Sequence, residues 1–325
     1  LGSNAAAAIQ NLTPNKPWRF NIALGGSSNC WWACTPRMLP ADFEINTRFG
    51  NGVDWPVSYS DLEEYYCDAE DLMAISGPPD STGLFPRSRP FPQPPHLPSD
   101  PDKLLQEASP DQFFVMPTGR ARETTPNGRP RCCASSVCSG CPIDSKFSVI
   151  NEMSSLFEDP RVELLTDAPV ETIETTNNVA TCVRSRHNDA DHTAKGEFIV
   201  LGANAIFNPA LLLQSGIDHP ETGKGLCEQI GVSVEVFLDG VDNFGGSTSL
   251  TGHGYMLHGD AGRKDHSAIL IETSNVPKLR MTRGKWRQYL FLKCIVEDLR
   301  EAGNQVRPNP DNPAKPFVEF HHHSG

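Results

Sequence analysis

Four cysteines within ten residues form the part of the sequence best suited to hold a metal. They are Cys132, Cys133, Cys138 and Cys141. Their spacing is C-C-x4-C-x2-C-P, and closely spaced thiolates ending in Cys-Pro are typical of iron–sulfur segments. A zinc ion held by four thiolates is the competing metal interpretation, but adjacent cysteines point apart and would share one tetrahedral ion poorly. Three ligands beside one bystander favour a three-iron cluster, and disulfides or free buried thiols are the remaining alternative.

The histidines form two further groups that could take up a proton or bind a metal. One group ends the chain as FHHHSG, with His321, His322 and His323 in a row. Taken alone, such a run is typical of a solvated surface. The second group is His253, His258 and His266, whose spacing matches no helical or hairpin ligand pattern. The GxSxG, HExxH, P-loop and kinase signatures are absent from the sequence.

Two short turns are suited to a close approach between backbone and ligand. The stretch ALGGSSN, residues 23–29, has two glycines and two hydroxyls that could bond phosphate. The turn GAN, residues 202–204, follows the apolar run FIVL and precedes a helical pattern. Strand, tight turn and helix make one unit of a nucleotide-binding α/β fold. Neither turn is a GxGxxG fingerprint, and the GKG at 223–225 lies in loop material.

The elements that would position these groups differ between the two halves of the chain. In the first half, residues 54–75 predict a helix capped by Ser60 or Asp61. Residues 77–130 carry thirteen prolines and predict a long irregular surface excursion, ordered or disordered.

In the second half, residues 161–186 predict two or three strands joined at an Asn-Asn turn. FIVL predicts a buried strand, and PALLLQSG a helix with Pro209 in its first turn. Between 231 and 300 the pattern predicts α+β material. The segments GVSVEVFLDG and HSAILIETS read as strands, and KWRQYLFLKCIVEDLREAG reads as a helix.

Composition narrows the class of protein. The chain has 325 residues, of which 38% are hydrophobic and 21% charged, so a sizeable core is available. Its net charge of −12 argues against nucleic acid or an anionic membrane surface as the main partner. The apolar runs are too short for a transmembrane segment. No secretory signal pattern opens the chain, and these counts leave a cytoplasmic and a periplasmic location equally open.

Several of these segments, in this order, resemble the glucose–methanol–choline (GMC) family of flavin oxidoreductases. GGSSNCWWACTPRMLPADF is similar to the family's GGSS loop, which implies FAD contacts at Gly25, Gly26, Ser27, Ser28, Asn29 and Cys30. DWPVSYSDLEEYYCDAE resembles the stretch that follows that loop. RVELLTDAPVETI resembles the strand whose valine, here Val170, meets the adenine through its backbone. EFIVLGANAIFNPALLLQSG resembles the motif that places Gly202 and Ala203 near the FAD.

The cysteines resemble those of a subgroup. CCASSVCSGCPIDSKF is similar to the cysteine segment of the family's FAD-dependent sugar dehydrogenases, where a three-iron cluster relays electrons to a haem partner. The last pair here is C-x2-C, where that subgroup has C-x3-C. A second likeness is to pyranose oxidase, in which a histidine stands at the position of Cys30 and binds FAD covalently. That histidyl link is therefore excluded here.

Two of the family's parts do not appear in this sequence. The N-terminal strand–GxGxxG–helix is missing, and the final HHSG resembles only the start of the catalytic H-P-x-G-T segment, with His322 in the base position. The resemblance therefore implies an incomplete FAD site and an internal portion of a longer enzyme. The expected fold is α/β, an incomplete Rossmann-type FAD-binding domain (1–76 and 131–230, interrupted by the Pro-rich 77–130) with an α+β substrate domain (231–325).

The resemblance also implies a function. We expect an FAD-dependent dehydrogenase that oxidises a CH–OH group of a sugar, polyol or other alcohol, with His322 as the base. A 3Fe-4S cluster would pass electrons to a cytochrome or quinone, and a small chaperone-like subunit is a further expected partner. The alternatives are an oxygen-using oxidase and a non-catalytic GMC-derived fragment with structural cysteines.

Overall fold

A computed structural model describes residues 5–80, 82–136, 138, 140–188, 190–259, 261–276 and 282–323. The helices are α1 (Ala5–Ala8), α2 (Ile45–Phe49), α3 (Tyr59–Leu72), α4 (Asp100–Ala108), α5 (Val149–Glu152) and α6 (Asn204–Gln214). The strands are β1 (Gln10–Asn11), β2 (Phe113–Val115), β3 (Val170–Thr176), β4 (Val179–His187), β5 (Ala190–Ala194), β6 (Ile230–Phe237), β7 (Leu250–Leu257), β8 (Ile269–Ser274), β9 (Tyr289–Val296), β10 (Gln305–Arg307) and β11 (Phe317–Glu319). Among the described residues, no helix has the length and apolar character needed to cross a bilayer.

The chain forms two compact units, each assembled from separate stretches of sequence. The first unit contains residues 27–154 and 229–297, and the second contains the described parts of 2–26, 155–228 and 298–325. These bounds describe which parts of the chain pack together, and they assign no function to either unit. The division into FAD-binding and substrate domains stays a prediction.

An antiparallel five-stranded sheet, in the order β2-β7-β8-β9-β6, organises the first unit. Strand β9 shows that one prediction is wrong, because the sequence of residues 285–303 predicts a helix. The run YLFLKCIV is rich in aromatic and branched residues and pairs on both sides, with β8 and β6. A short apolar run fits a buried strand as well as a helix, and these two neighbours decide the outcome.

The predicted helix at 54–75 forms as α3, but its first turn is fixed by a different residue. Ser58 is the N-cap: its Oγ accepts a hydrogen bond from the Asp61 backbone N–H, and the Asp61 carboxylate accepts one from the Ser58 N–H. This reciprocal capping box corrects the expected cap at Ser60 or Asp61.

The Pro-rich stretch 77–130 contributes several buried residues to the first unit, while many of its other residues are exposed, as predicted. It contains α4 and β2, and it buries Phe113, Met116 and Thr118 almost completely. Backbone hydrogen bonds in both directions join Thr118 to Ser76. Several polar groups replace a regular hydrogen-bond ladder here, which explains how a segment with so many prolines remains ordered.

One of these polar groups, His96, should make stability depend on pH. Its ring nitrogens lie 2.9 Å from Ser247 Oγ and 3.0 Å from the Arg120 carbonyl oxygen. Burial lowers the pKa of His96 from 6.5 to about 4, because a charged imidazolium is poorly solvated there. A depressed folded-state pKa means that this stability is present above pH 6.5 and is lost as the pH falls towards 4.

The expected loss over that window is about 3 kcal/mol in the free energy of unfolding. Urea unfolding at several pH values should show His96→Gln with a flatter dependence than the parent protein. His192→Gln, which changes an exposed histidine on β5, is the matched control and should keep the parent slope. Equal slopes for the parent and His96→Gln would contradict the assignment.

The second unit has two small sheets, β1-β11-β10 and β3-β4-β5. Asn177 and Asn178 join β3 to β4 with φ of 52° and 62°, so the predicted Asn-Asn hairpin is confirmed. Helix α6 is bound to β3 by a 2.9 Å hydrogen bond from the Ile173 N–H to Ser215 Oγ. Its apolar side chains Ile206 and Ala210 share a core with Val318 and Phe320 of the C-terminal stretch.

The region before α6 departs from its prediction. Residues 198–201, FIVL, form no strand, and Phe198 and Val200 are 87% and 90% exposed. A strand of a parallel sheet is buried by its neighbours, and no described strand pairs with this run. The helix also starts earlier than expected, at Asn204, so Pro209 lies inside it and not in its first turn.

Candidate functional site

The GGSS loop is a tight turn that begins with two residues in a backbone conformation that favours glycine. Gly25 and Gly26 have φ of 85° and 53°, in the left-handed region that other residues rarely adopt. Residues Gly26–Asn29 continue as a short 3-10 helix. A side chain at Gly26 would meet nothing within 4 Å, so the backbone there is open to a ligand. Ser28 Oγ accepts a hydrogen bond from the Val149 N–H at 3.2 Å, which anchors the hydroxyl side of the loop.

The remaining flavin-segment residues lie in the second unit. Val170 is the first residue of β3, is exposed, and pairs with Ser185 of β4. Gly202 has open space where a side chain would be. Ala203 is fixed by a 2.7 Å hydrogen bond from its N–H to the Asn208 side chain. Open space at Gly202 fits the approach of a nucleotide cofactor, and the role of these three residues in binding FAD stays a prediction.

His322 belongs to this second unit and is held by a buried acid. Its Nδ1 lies 2.8 Å from Asp298 Oδ2, and the Asp298 side chain is almost fully buried. The other carboxylate oxygen of Asp298 accepts a 3.0 Å hydrogen bond from the His323 N–H. The His322 ring also meets Phe320 edge to face at 4.9 Å. A carboxylate on Nδ1 fixes the tautomer and leaves Nε2 as the basic nitrogen. Ser324 and Gly325, the rest of the HHSG match, lie outside the described residues.

The four-cysteine segment lies in the first unit, and its members differ in their burial. Cys138 is buried, with Sγ 2.9 Å from Ser249 Oγ, and Cys132 Sγ lies 3.6 Å from Thr248 Oγ1. Cys133 is exposed. All ten cysteines fall within the described residues and are free thiols.

A buried lysine lies among the thiols. Lys146 donates hydrogen bonds from Nζ to the carbonyl oxygens of Trp31 and Cys138, at 2.6 and 2.8 Å. Burial and then the Arg120 charge lower the pKa of Lys146, whereas the sulfurs of Cys138, Cys141 and Cys30 raise it. Two cations beside several thiols make a setting that suits an anionic group.

The positions of the four cysteine sulfurs help to distinguish a zinc ion from an iron–sulfur cluster. The described sulfurs of Cys132, Cys133, Cys138 and Cys141 do not provide three ligand atoms within 4.8 Å of one another. A single tetrahedral zinc ion requires such an approach, so the geometry disfavours zinc at this segment. A larger cluster can bridge wider separations.

The three histidines of 253–266 do not converge. His253 pairs with Glu272, His258 lies 3.1 Å from Asp42, and His266 lies 3.0 Å from the carbonyl oxygen of Ser267. Sequence reasoning missed the partners Glu272 and Asp298. Neither lies in a motif, and each meets its histidine only through folding.

The fold of the chain is similar to that of two solved oxidases. It matches pyridoxine 4-oxidase from "Mesorbium loti" with a TM-score of 0.58 and 14% identity, over 93% of this chain and 61% of that one. It matches formate oxidase from Aspergillus oryzae with a TM-score of 0.57 and 13% identity, over 94% and 64%. The expected α/β class is therefore confirmed.

The sequence comparisons show which known enzymes the chain is similar to. No model of a known protein family matches the chain. It is 31% identical over 316 residues to the fructose dehydrogenase large subunit of Gluconobacter japonicus, a match covering 89% of this chain and 58% of that protein. It is 30% identical over 212 residues to 2-methyl-1,2-propanediol dehydrogenase of Mycolicibacterium austroafricanum, covering 61% and 37%. These relatives are GMC-type oxidoreductases, which confirms the resemblance of the sequence to that family, and the chain spans 58% or less of their length.

Proposed function

We propose that the chain is a catalytic portion of an FAD-dependent GMC oxidoreductase that oxidises a CH–OH group of a sugar, polyol or other alcohol. The observation that carries this proposal is the pairing of His322 with buried Asp298, in a chain that keeps the flavin-contacting segments in family order. The printed names of two relatives, a fructose dehydrogenase large subunit and a propanediol dehydrogenase, support alcohols as substrates.

The chain's own residues would act on the hydroxyl proton. Asp298 holds His322 with Nδ1 protonated, so Nε2 can remove the proton from the substrate hydroxyl. Asp298 also stabilises the imidazolium that results. The backbone at Gly26, Val170 and Gly202 would hold the FAD, with open space at the two glycines. When bound, FAD supplies the acceptor for the hydride that leaves the carbinol carbon.

We further propose that Cys132, Cys138 and Cys141 are ligands of a 3Fe-4S cluster, with Cys133 as the bystander. Support comes from the exposure of Cys133 and from buried Lys146 and its neighbour Arg120, whose positive charges suit an anionic cluster. Such a cluster would pass electrons singly to a cytochrome or quinone, and a small chaperone-like subunit would be a further partner. Without it the protein would be an oxidase, an alternative supported by a 28% identical relative named 6'''-hydroxyparomomycin C oxidase, from Streptomyces lividus.

Absorption spectra of the protein purified without air, with iron and acid-labile sulfide assays, test both proposals. We expect flavin bands and about three irons per chain. Cys138→Ser should lose the iron, whereas Cys133→Ser, the matched control, should retain it. Flavin without iron would overturn the cluster and favour the oxidase. Absence of both would favour the non-catalytic fragment.

A further inference from the structure

A second group of ligand-type side chains lies in the first unit, apart from the four-cysteine segment. It consists of Cys34, His253 and Glu272, and each offers one ligand atom within 4.8 Å of the other two. We call it the Cys-His-Glu group. It is the one such group found among the described residues.

The sheet holds two members of the group rigidly. His253 on β7 stands directly opposite Glu272 on β8, and the His253 Nε2 lies 3.2 Å from the Glu272 Oε1. Cys34 is brought to them by an antiparallel bridge to Thr118, with a 3.0 Å hydrogen bond from the Thr35 N–H to the Pro117 carbonyl oxygen. Ligands on paired strands keep their separation better than ligands on loops.

The group is incompletely satisfied as a hydrogen-bonding cluster. The His253 side chain is fully buried, yet its Nδ1 has no hydrogen-bond partner among the described residues. The nitrogen that faces the Glu272 carboxylate is Nε2, so Nε2 is the imidazole atom available as a ligand.

We propose that Cys34, His253 and Glu272 bind one Zn²⁺ ion. Sulfur, imidazole and carboxylate together are a ligand set typical of zinc, with ligand atoms roughly 3.5 Å apart around a tetrahedron. The His253–Glu272 distance already agrees with that spacing, and only Cys34 must approach. Binding would release the Cys34 proton to solvent, leaving a thiolate ligand.

The charge of the ligands themselves suits a divalent cation. Thiolate and carboxylate together carry two negative charges, which balance Zn²⁺. Three protein ligands leave the fourth position to a water molecule or another small oxygen donor.

Co²⁺ is the probe that tests this proposal, because a cobalt–thiolate bond gives a charge-transfer band. The metal-free 325-residue chain should bind Co²⁺ with that band, and Zn²⁺ should displace it. Cys34→Ser should abolish the band, and His253→Gln should weaken Co²⁺ binding by more than about tenfold. Cys182→Ser, which changes a buried cysteine of the second unit, should leave both unchanged.

Two outcomes would overturn the proposal. One is a band that survives Cys34→Ser but disappears in Cys138→Ser, which would place the metal at the four-cysteine segment. The other is the absence of any band. Thermal unfolding separates metal loss from misfolding, because Zn²⁺ should raise the Tm of the parent protein and not that of a folded Cys34→Ser variant. The proposal does not depend on the flavin function, and a flavin-free protein tests it equally well.

Discussion

Replacing Arg129 with methionine should lower the free energy of unfolding by about 3–5 kcal/mol. Both Arg129 and its ion-pair partner Glu152 have almost fully buried side chains. The guanidinium also donates to the carbonyl oxygens of Met73 and Ser145, at 2.6 and 3.1 Å. Its removal leaves the Glu152 carboxylate buried without a counter-charge, and these carbonyl groups lose a donor.

Urea unfolding measures this loss. Arg161→Met, at a largely exposed arginine paired with Asp159, is the control and should change the free energy of unfolding by less than about 0.5 kcal/mol. The double variant Arg129→Met, Glu152→Leu should recover part of the loss, because no uncompensated charge remains. A loss below about 1 kcal/mol for Arg129→Met would show that water reaches Glu152 and that the pair is not buried in solution.

His322→Ala should lower the rate of alcohol oxidation by about 10²- to 10⁴-fold in the flavin-loaded enzyme. The alanine cannot accept the hydroxyl proton. Asp298→Asn should also lower kcat, because an amide can no longer hold the His322 tautomer or balance the imidazolium.

The comparison variant for that experiment is His192→Ala, which removes an exposed histidine of the same unit. Its kcat should equal that of the parent enzyme, and the flavin content of every variant should be measured alongside. Turnover of His322→Ala within about twofold of the parent value, at equal flavin content, would assign the base to another residue.

The sequence predicts best where the structure is local. The Asn177-Asn178 hairpin follows from two residues that tolerate positive φ, and the helix at 54–75 follows from its own periodicity, although its cap is Ser58. Strand β9 fails because YLFLKCIV suits two structures, and only its pairing with β6 and β8, far away in sequence, decides between them.

Candidate sites made of neighbouring residues are likewise easier to predict than sites that folding brings together. The GGSS loop and the four cysteines are contiguous and carry their chemistry in their spacing. The Cys-His-Glu group joins residues 34, 253 and 272, and the acid that holds His322 comes from a segment predicted to be helical. No spacing rule connects such positions, since the sheet and the C-terminal stretch create them only after folding.

The exposed run at 198–201 affects how readily one molecule of the chain associates with another. Phe198 and Val200 present apolar surface to solvent without a described strand beside them, and such surface attracts a second molecule at short range. The net charge of −12 repels that molecule from further away. At 1 M salt the range of this repulsion falls to about 3 Å, whereas the apolar attraction is unchanged. The solubility of this chain is therefore set by a balance that ionic strength tips towards association.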